Sequence, residues 1–281
     1  MNQNRGLNLA KELQDQSPED WEYFGGSLPD LAYIPELERE FYLPKGELQN
    51  IGEEKMDCAS RAPLNVLEAK LNWLLKNKKL SLENEIWLKA NKYVGESGVE
   101  LSDAFVAINS GTTPQGNSLK APLEAIRKQG VIPKSVLPQA NTWEEHHDPQ
   151  RITGVMTELG LEFTRRLFIN YQKVYEKDFD ELLAEDFLIV GGYAWPQPIE
   201  GEYPPVSDAP NHAFIAHRRP RYYVFDNYLD YVDQDFIKKL SPKYDLLDYG
   251  YRLTINKQVT TPKKRSWLAG IIKYWFQDIL K

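Results

Sequence analysis

The sequence predicts an α+β protein of two lobes, and three observations carry that prediction. Apolar residues recur at helical spacing through the first half of the chain. β-Branched and aromatic runs replace them in the second half. No flexible linker separates the two halves, which places a cleft between lobes of one domain.

Taken in order, residues 1–45 are polar, with breaks such as FGGSLPD, and read as a short helix near 8–15 followed by an extended arm. Residues 58–78 carry Ala59, Ala62, Val66, Leu67, Leu71, Leu74 and Leu75 at spacings of three and four, the stripe of a long buried helix. Pro63 is tolerated only near the start of such a helix, so the helix begins close to Cys58. Further helices are predicted over 81–93, 101–109 and 118–130, the last with Ser118 as N-cap and Gly130 as its stop. Strands are predicted over 161–170, 187–195, 212–219, 221–228 and 249–256, with a short helix at 178–185. The division expected is an N-terminal arm (1–35), a two-lobed domain (36–258), and a linker with a C-terminal amphipathic helix (259–281).

Composition narrows the function. The 281 residues are 42% hydrophobic and 27% charged, as in ordinary globular proteins, and the net charge of −7 argues against a general nucleic-acid binder. No apolar run is long enough to span a membrane, and the first residues carry no signal-peptide core. The one cysteine, Cys58, excludes an internal disulfide, and the reducing cytosol of a cell or infected host is the expected compartment.

Cys58 stands at the mouth of the long helix. A thiolate attacks where a thiol does not, and the partial positive charge of a helix N-terminus stabilises the thiolate. A histidine beside it would take the proton, and a carboxylate or amide would hold that histidine in one tautomer. A hairpin running from His212 to Asp226 would bring those two side by side on the second lobe. The plainer readings are a buried small residue for Cys58, a strand histidine for His212 and a turn residue for Asp226. His217, beside Arg218 and Arg219, is a second candidate base.

The segment KGELQNIGEEKMDCAS, the stretch VELSDAFVAINSGTTPQGNSLKAPLEAIRKQGVIPKSVLP, the strand DFLIVGGYA and the run NHAFIAHRRPRYYVFDNY resemble, in order and spacing, the motifs of papain-like cysteine peptidases over roughly residues 36–256. The resemblance implies a papain-like fold whose helical N-terminal lobe presents the cysteine and whose second lobe is antiparallel sheet. It implies Cys58 as nucleophile, His212 as general base and acid, and Asp226 where the family usually has an orienting asparagine. It places Ile51 at the family's oxyanion glutamine, with Gln49 or Asn50 as substitutes, and Gln115, Gly116 and Asn117 along the substrate cleft. No cofactor is implied, and the substrate is a peptide or protein. A divergent phage or bacterial member is one reading. The alternative is a non-catalytic protein of this fold used for structure or assembly, for example in a virion; an amidase or transferase on a related fold is a third.

Two further segments stand out. TWEEHHDP (142–149) offers Glu144, Glu145, His146, His147 and Asp148, but adjacent histidines do not share a helix face, so the reading is a solvated loop and no metal. The tail PKKRSWLAGIIKYWFQDILK aligns Trp267/Leu268, Ile271/Ile272, Trp275/Phe276 and Ile279/Leu280 on one helix stripe. That stripe would pack on the body, dock with a partner or second copy, or lie on a membrane surface.

Overall fold

The computed structural model describes residues 6–16, 30–46, 48–206, 208–219, 222–229 and 235–256. The chain opens with α1 (Leu9–Asp15) and a 3-10 segment (Glu36–Tyr42), then builds the helical lobe from α2 (Cys58–Lys76), α3 (Leu82–Ala90), a small hairpin of β1 (Val94–Gly95) and β2 (Gly98–Val99), α4 (Asp103–Asn109), α5 (Lys120–Gln129), α6 (Trp143–His146) and α7 (Gly154–Arg166). The second lobe holds β3 (Phe168–Tyr175), α8 (Phe179–Glu185), β4 (Leu188–Gly192), β5 (His212–Arg218), β6 (Tyr223–Phe225), β7 (Ile237–Lys239) and β8 (Leu246–Asn256). Its six strands pair antiparallel throughout, in the order β3-β8-β4-β5-β6-β7.

Strand alternation gives the sheet two apolar faces. Ile189, Ala213 and Ile215 join one core with α2, α4 and α5. Their neighbours Leu188, Val190, Phe214 and Ala216 join a second core with Phe179, Leu182 and Leu183 of α8. Helix α2 is buried continuously from Cys58 to Leu71, so it is a central helix and not an amphipathic surface one. Pro63 removes the bond its amide would have made to Ala59, a loss confined to the helix's first turns.

Buried charges tie the lobes together. Lys70, in the middle of α2, meets Asp186 at 2.7 Å, the carbonyl of Leu253 at 2.6 Å and the carboxylate of Asp30. Arg39 is fully buried and spreads its guanidinium over the carbonyls of Leu183 and Ala184 at the end of α8 and of His217 on β5. A helix end otherwise leaves such carbonyls without partners.

The region predicted as a strand at 161–170 is mostly helix. Thr153 caps α7 by accepting from Met156 N at 3.3 Å, and Glu162 pairs with Arg165 and Arg166 one turn on. Phe163 alone of its central stretch is driven into the core beside Gly160, and the strand starts only at Phe168. The helix predicted to reach residue 93 stops at Ala90, because Lys92 turns to φ 64° and Tyr93 goes inward to bond Val131 O at 2.9 Å. No helix among the described residues is long and apolar enough to cross a membrane. The predicted tail helix with Trp267, Ile271, Trp275 and Phe276 lies outside the described residues.

Lys70 gives a direct test of how the lobes are held. Lys70→Met leaves Asp30 buried without its cation and Asp186 with Arg252 alone, and is expected to cost about 3–5 kcal/mol in urea unfolding. An unchanged midpoint would show that these carboxylates find other partners.

Candidate active site

The site is assembled where the start of α2 meets the start of β5. Cys58 is the first residue of α2, and its Sγ accepts the backbone N–H of Ala213 at 3.3 Å. Ala213 follows His212 directly, so pairing of β5 with β4, Gly192 opposite His212, fixes the imidazole's position against the thiol's element. His212 Nε2 meets Asp226 Oδ1 at 2.7 Å, and both residues are buried. The hairpin of β5 and β6 thus brings histidine and carboxylate together.

Asp226 is held on every side. Asn227 N donates to Oδ1 at 2.6 Å, and the Trp195 indole N–H donates to Oδ2 at 2.6 Å. Lys238 Nζ stands 3.4 Å from Oδ2. Burial alone would raise the acid, but the charges of His212 and Lys238 and these hydrogen bonds bring it down to about 2, so it is a carboxylate at any ordinary pH. Trp195 also lies edge-on to His212, with ring centres 5.7 Å apart, and Tyr228 does the same from another side at 5.4 Å.

The thiol itself is at rest. Cys58 is 1% exposed, and burial pushes its pKa well up. The Ala213 hydrogen bond opposes that push, while Asp57, Asp226 and Glu54 add to it. Among the described residues no hydrogen bond joins the thiol to the imidazole, and His212 Nδ1, the ring nitrogen not turned to Asp226, has no partner.

The chain's own N-terminal segment closes it. Leu7 N donates to Asn211 O at 3.2 Å on the sheet lobe. On the helical lobe Asn117 N donates to Gly6 O at 2.7 Å and Asn8 N to Asn117 O at 2.8 Å, a parallel bridge. Leu7 is 3% exposed and sits beside Gly191 and Leu247. Gly6, at φ +109°, lets the segment pass so close that an added Cβ would lie 2.5 Å from the Met56 backbone. α1 anchors the far end: Glu12 is buried, accepting from Leu119 N, and Asp15 takes the Ser118 hydroxyl at 2.5 Å.

The other expected site residues divide. Gly116 and Asn117 meet this segment, while Gln115 is exposed at the turn. Gln49 is buried and turns its amide to Glu54 Oε1 at 2.5 Å, Asn50 is exposed, and Ile51 is half exposed. At the first turn of α2, Asp57, the N-cap, makes no side-chain capping hydrogen bond, because its oxygens go to Arg61 Nε at 2.8 Å and His146 Nε2 at 3.1 Å. His217 is buried on β5, five residues along and so on the opposite face from His212; burial and the nearby Arg39 lower it to about 3, and it plays no part in the site.

Sequence reasoning missed several contributors. The solvated-loop reading of TWEEHHDP is overturned: His146 is fully buried against Asp57, and His147 Nε2 contacts Lys55 O at 2.9 Å, its pKa lowered to about 4 chiefly by burial. The spacing that argued against shared ligands says nothing about burial. Trp195, Lys238 and Glu54 sit among ordinary strand and loop residues, and no local pattern marks them. Among the described residues no group of side chains could hold a metal.

Neither a protein-family model nor a curated protein matches the sequence. Solved structures do match. Xylellain, a cysteine protease from Xylella fastidiosa, superposes with a TM-score of 0.55 at 15% identity, covering 91% of this chain and 96% of that one. The fold is papain-like. proCathepsin B S9 from Trypanosoma congolense gives 0.54 at 9% identity over 90% and 86% of the two chains. The cysteine protease CMS1MS2 of Carica candamarcensis gives 0.51 at 10% identity over 80% and 99%. At such identities the papain-like likeness is one of fold, and chemistry has to be argued from the residues.

Glu12 is expected to make the docking of residues 6–16 pH-dependent. Its pKa is raised, first by burial, so the docked segment holds a proton more readily than the free one. That contribution to docking is full below the ordinary carboxyl value of 4.5 and is lost as pH rises through the raised value. The ratio of iodoacetamide labelling of Cys58 in the native chain to that in Glu12→Gln is expected to climb with pH above about 4.5. A flat ratio would show that Glu12 does not govern docking.

Proposed function

We propose that this chain is a cysteine peptidase held latent by its residues 6–16. The observation that carries the reading is the junction of Cys58 Sγ with Ala213 N, which sets the nucleophile beside a histidine already fixed to Asp226 at 2.7 Å. When the segment leaves, solvent and substrate reach a thiol at a helix N-terminus, where the helix dipole favours the thiolate.

In the reaction His212 Nδ1 takes the Cys58 proton and the sulfur attacks the scissile carbonyl. The developing oxyanion is met by the uncapped N–H groups at the start of α2. His212 then gives its proton to the leaving amine, the thioester forms, and a water deprotonated by His212 hydrolyses it. Asn117 and Asn211, which now bond residues 6–8, present the same backbone groups to an extended peptide. The seat of Leu7 beside Gly191 and Leu247 suits an aliphatic side chain of that peptide.

One observation favours the rival reading of a non-catalytic assembly protein. Gln49 spends its amide on Glu54 and Ile51 supplies no donor, and an absent oxyanion donor costs on the order of 10²–10³ in rate. The two readings part on activity. Gly6→Val, which cannot keep φ +109° or the approach to Met56, is expected to cleave a fluorogenic peptide containing leucine faster than the native chain does. Adding Cys58→Ala or His212→Ala should lower that rate by about 10⁴-fold or more. Equal background rates in all of these proteins would replace the peptidase reading with the assembly one.

A further inference from the structure

Lys238 is a buried cation that the chemistry above does not use. It lies on β7 with Val224 of β6 opposite it, and its ammonium is fully shielded from solvent. Burying an ammonium is costly unless it is paired and hydrogen-bonded. Its partners include Asp226 Oδ2 at 3.4 Å, the carbonyl of Tyr228, and the face of the Trp195 ring, 5.0 Å from Nζ to the ring centre. The same three residues also flank the His212 imidazole, Asp226 through Oδ1 and Tyr228 and Trp195 through their rings.

The two oxygens of Asp226 divide the work. Oδ1 faces His212 and Asn227 N, while Oδ2 faces the Trp195 N–H and Lys238. We propose that Lys238 is a positioning residue of the Cys58–His212 site, whose buried ammonium cancels the charge of Asp226 so that the carboxylate orients the imidazole as a neutral amide would. The proposal rests on the peptidase reading for its consequence in turnover, and on the charges alone for its effect on His212.

The physical reason is the low dielectric of the site. An uncompensated carboxylate 2.7 Å from Nε2 would stabilise the imidazolium strongly. His212 would then take the thiol's proton readily but hold it against the leaving amine. With Lys238 in place, Asp226 and Lys238 together are neutral, the ring keeps its orientation, and the proton stays transferable in both directions. Trp195 packs its ring face on the ammonium while its indole N–H donates to the same carboxylate oxygen. Among the described residues, the other ionisable groups near this cluster are Cys58 from α2, Asp57 and Glu54 from the loop before it, Tyr203 against the Trp195 ring, Tyr228 after β6 and Tyr244 before β8. These are acids and phenols, which add no positive charge to replace that of Lys238.

The test is the titration of His212 by ring-resonance NMR in the full chain, which has four histidines and so permits assignment. Lys238→Met should raise the His212 midpoint by about one to two pH units. Asp226→Asn, which leaves the ammonium alone, should lower it. The double variant Asp226→Asn/Lys238→Met should return within about half a unit of the native value, and Lys238→Arg should stay close to it. If Lys238→Met does not fold, the comparison of Asp226→Asn with the double variant decides the matter. An unmoved midpoint in Lys238→Met, or a double variant no nearer the native value than Asp226→Asn, overturns the proposal and leaves Lys238 a packing residue. Turnover separates this from the wider reading. Midpoints that move as expected in a protein that cleaves nothing uphold Lys238 and sink the peptidase. Cleavage with unmoved midpoints does the reverse.

Discussion

Everything in this molecule is arranged around one close contact, the start of α2 against the start of β5. A helix N-terminus and a strand N-terminus come from opposite lobes and meet through Cys58 Sγ and Ala213 N. The contact is possible because α2 is buried on all sides from Cys58 to Leu71, its polar side chains such as Arg61 and Lys70 being paired inside, and can be sunk into the sheet face. Lys70 locks its depth by reaching Asp186 and the β8 backbone, and strand register carries His212 to the meeting point. Shift β5 by one residue and the imidazole would turn to the opposite face.

The site is also a problem of buried charge. Asp57 and Asp226 both stand close to a thiol that each of them pushes toward its neutral form. Each is balanced from behind: Asp57 by Arg61 and His146, Asp226 by Lys238 and the Trp195 N–H. Lys55 follows the same logic in the loop before α2, giving its ammonium to the carbonyls of Ile51, Glu53 and Asn141. These partners fix the loop's shape, including Met56 at φ 54°, a left-handed conformation that non-glycine residues adopt at some cost.

Much of this was legible in the sequence, for reasons that differ by element. The long helix from Cys58 and the strands at 188–192 and 212–218 stand out because full burial demands apolar runs. Cys58, His212 and Asp226 could be put together because a hairpin brings the last two side by side and a helix mouth presents the first. The helix at 154–166 was hidden because Leu161 and Phe163 alternate like strand residues while its Glu–Arg pairs carry the helical signal. His146 and the closing segment were illegible because each meets a partner distant in the chain, at Asp57 and Asn211, and Lys238 because a strand lysine ordinarily turns to solvent. Polar residues paired inside a fold look like solvated ones until the fold is known.

Cys58 and His212 are expected to become one proton-sharing pair once residues 6–16 leave the cleft. With a single cysteine, thiolate absorbance in the ultraviolet reports Cys58 alone until the tyrosines ionise near pH 10. In Gly6→Val the thiolate is expected to form well below the ordinary thiol value of about 8.5, and His212→Ala in that background should abolish the early step. Titration at or above about 8.5 in both proteins would contradict the pairing.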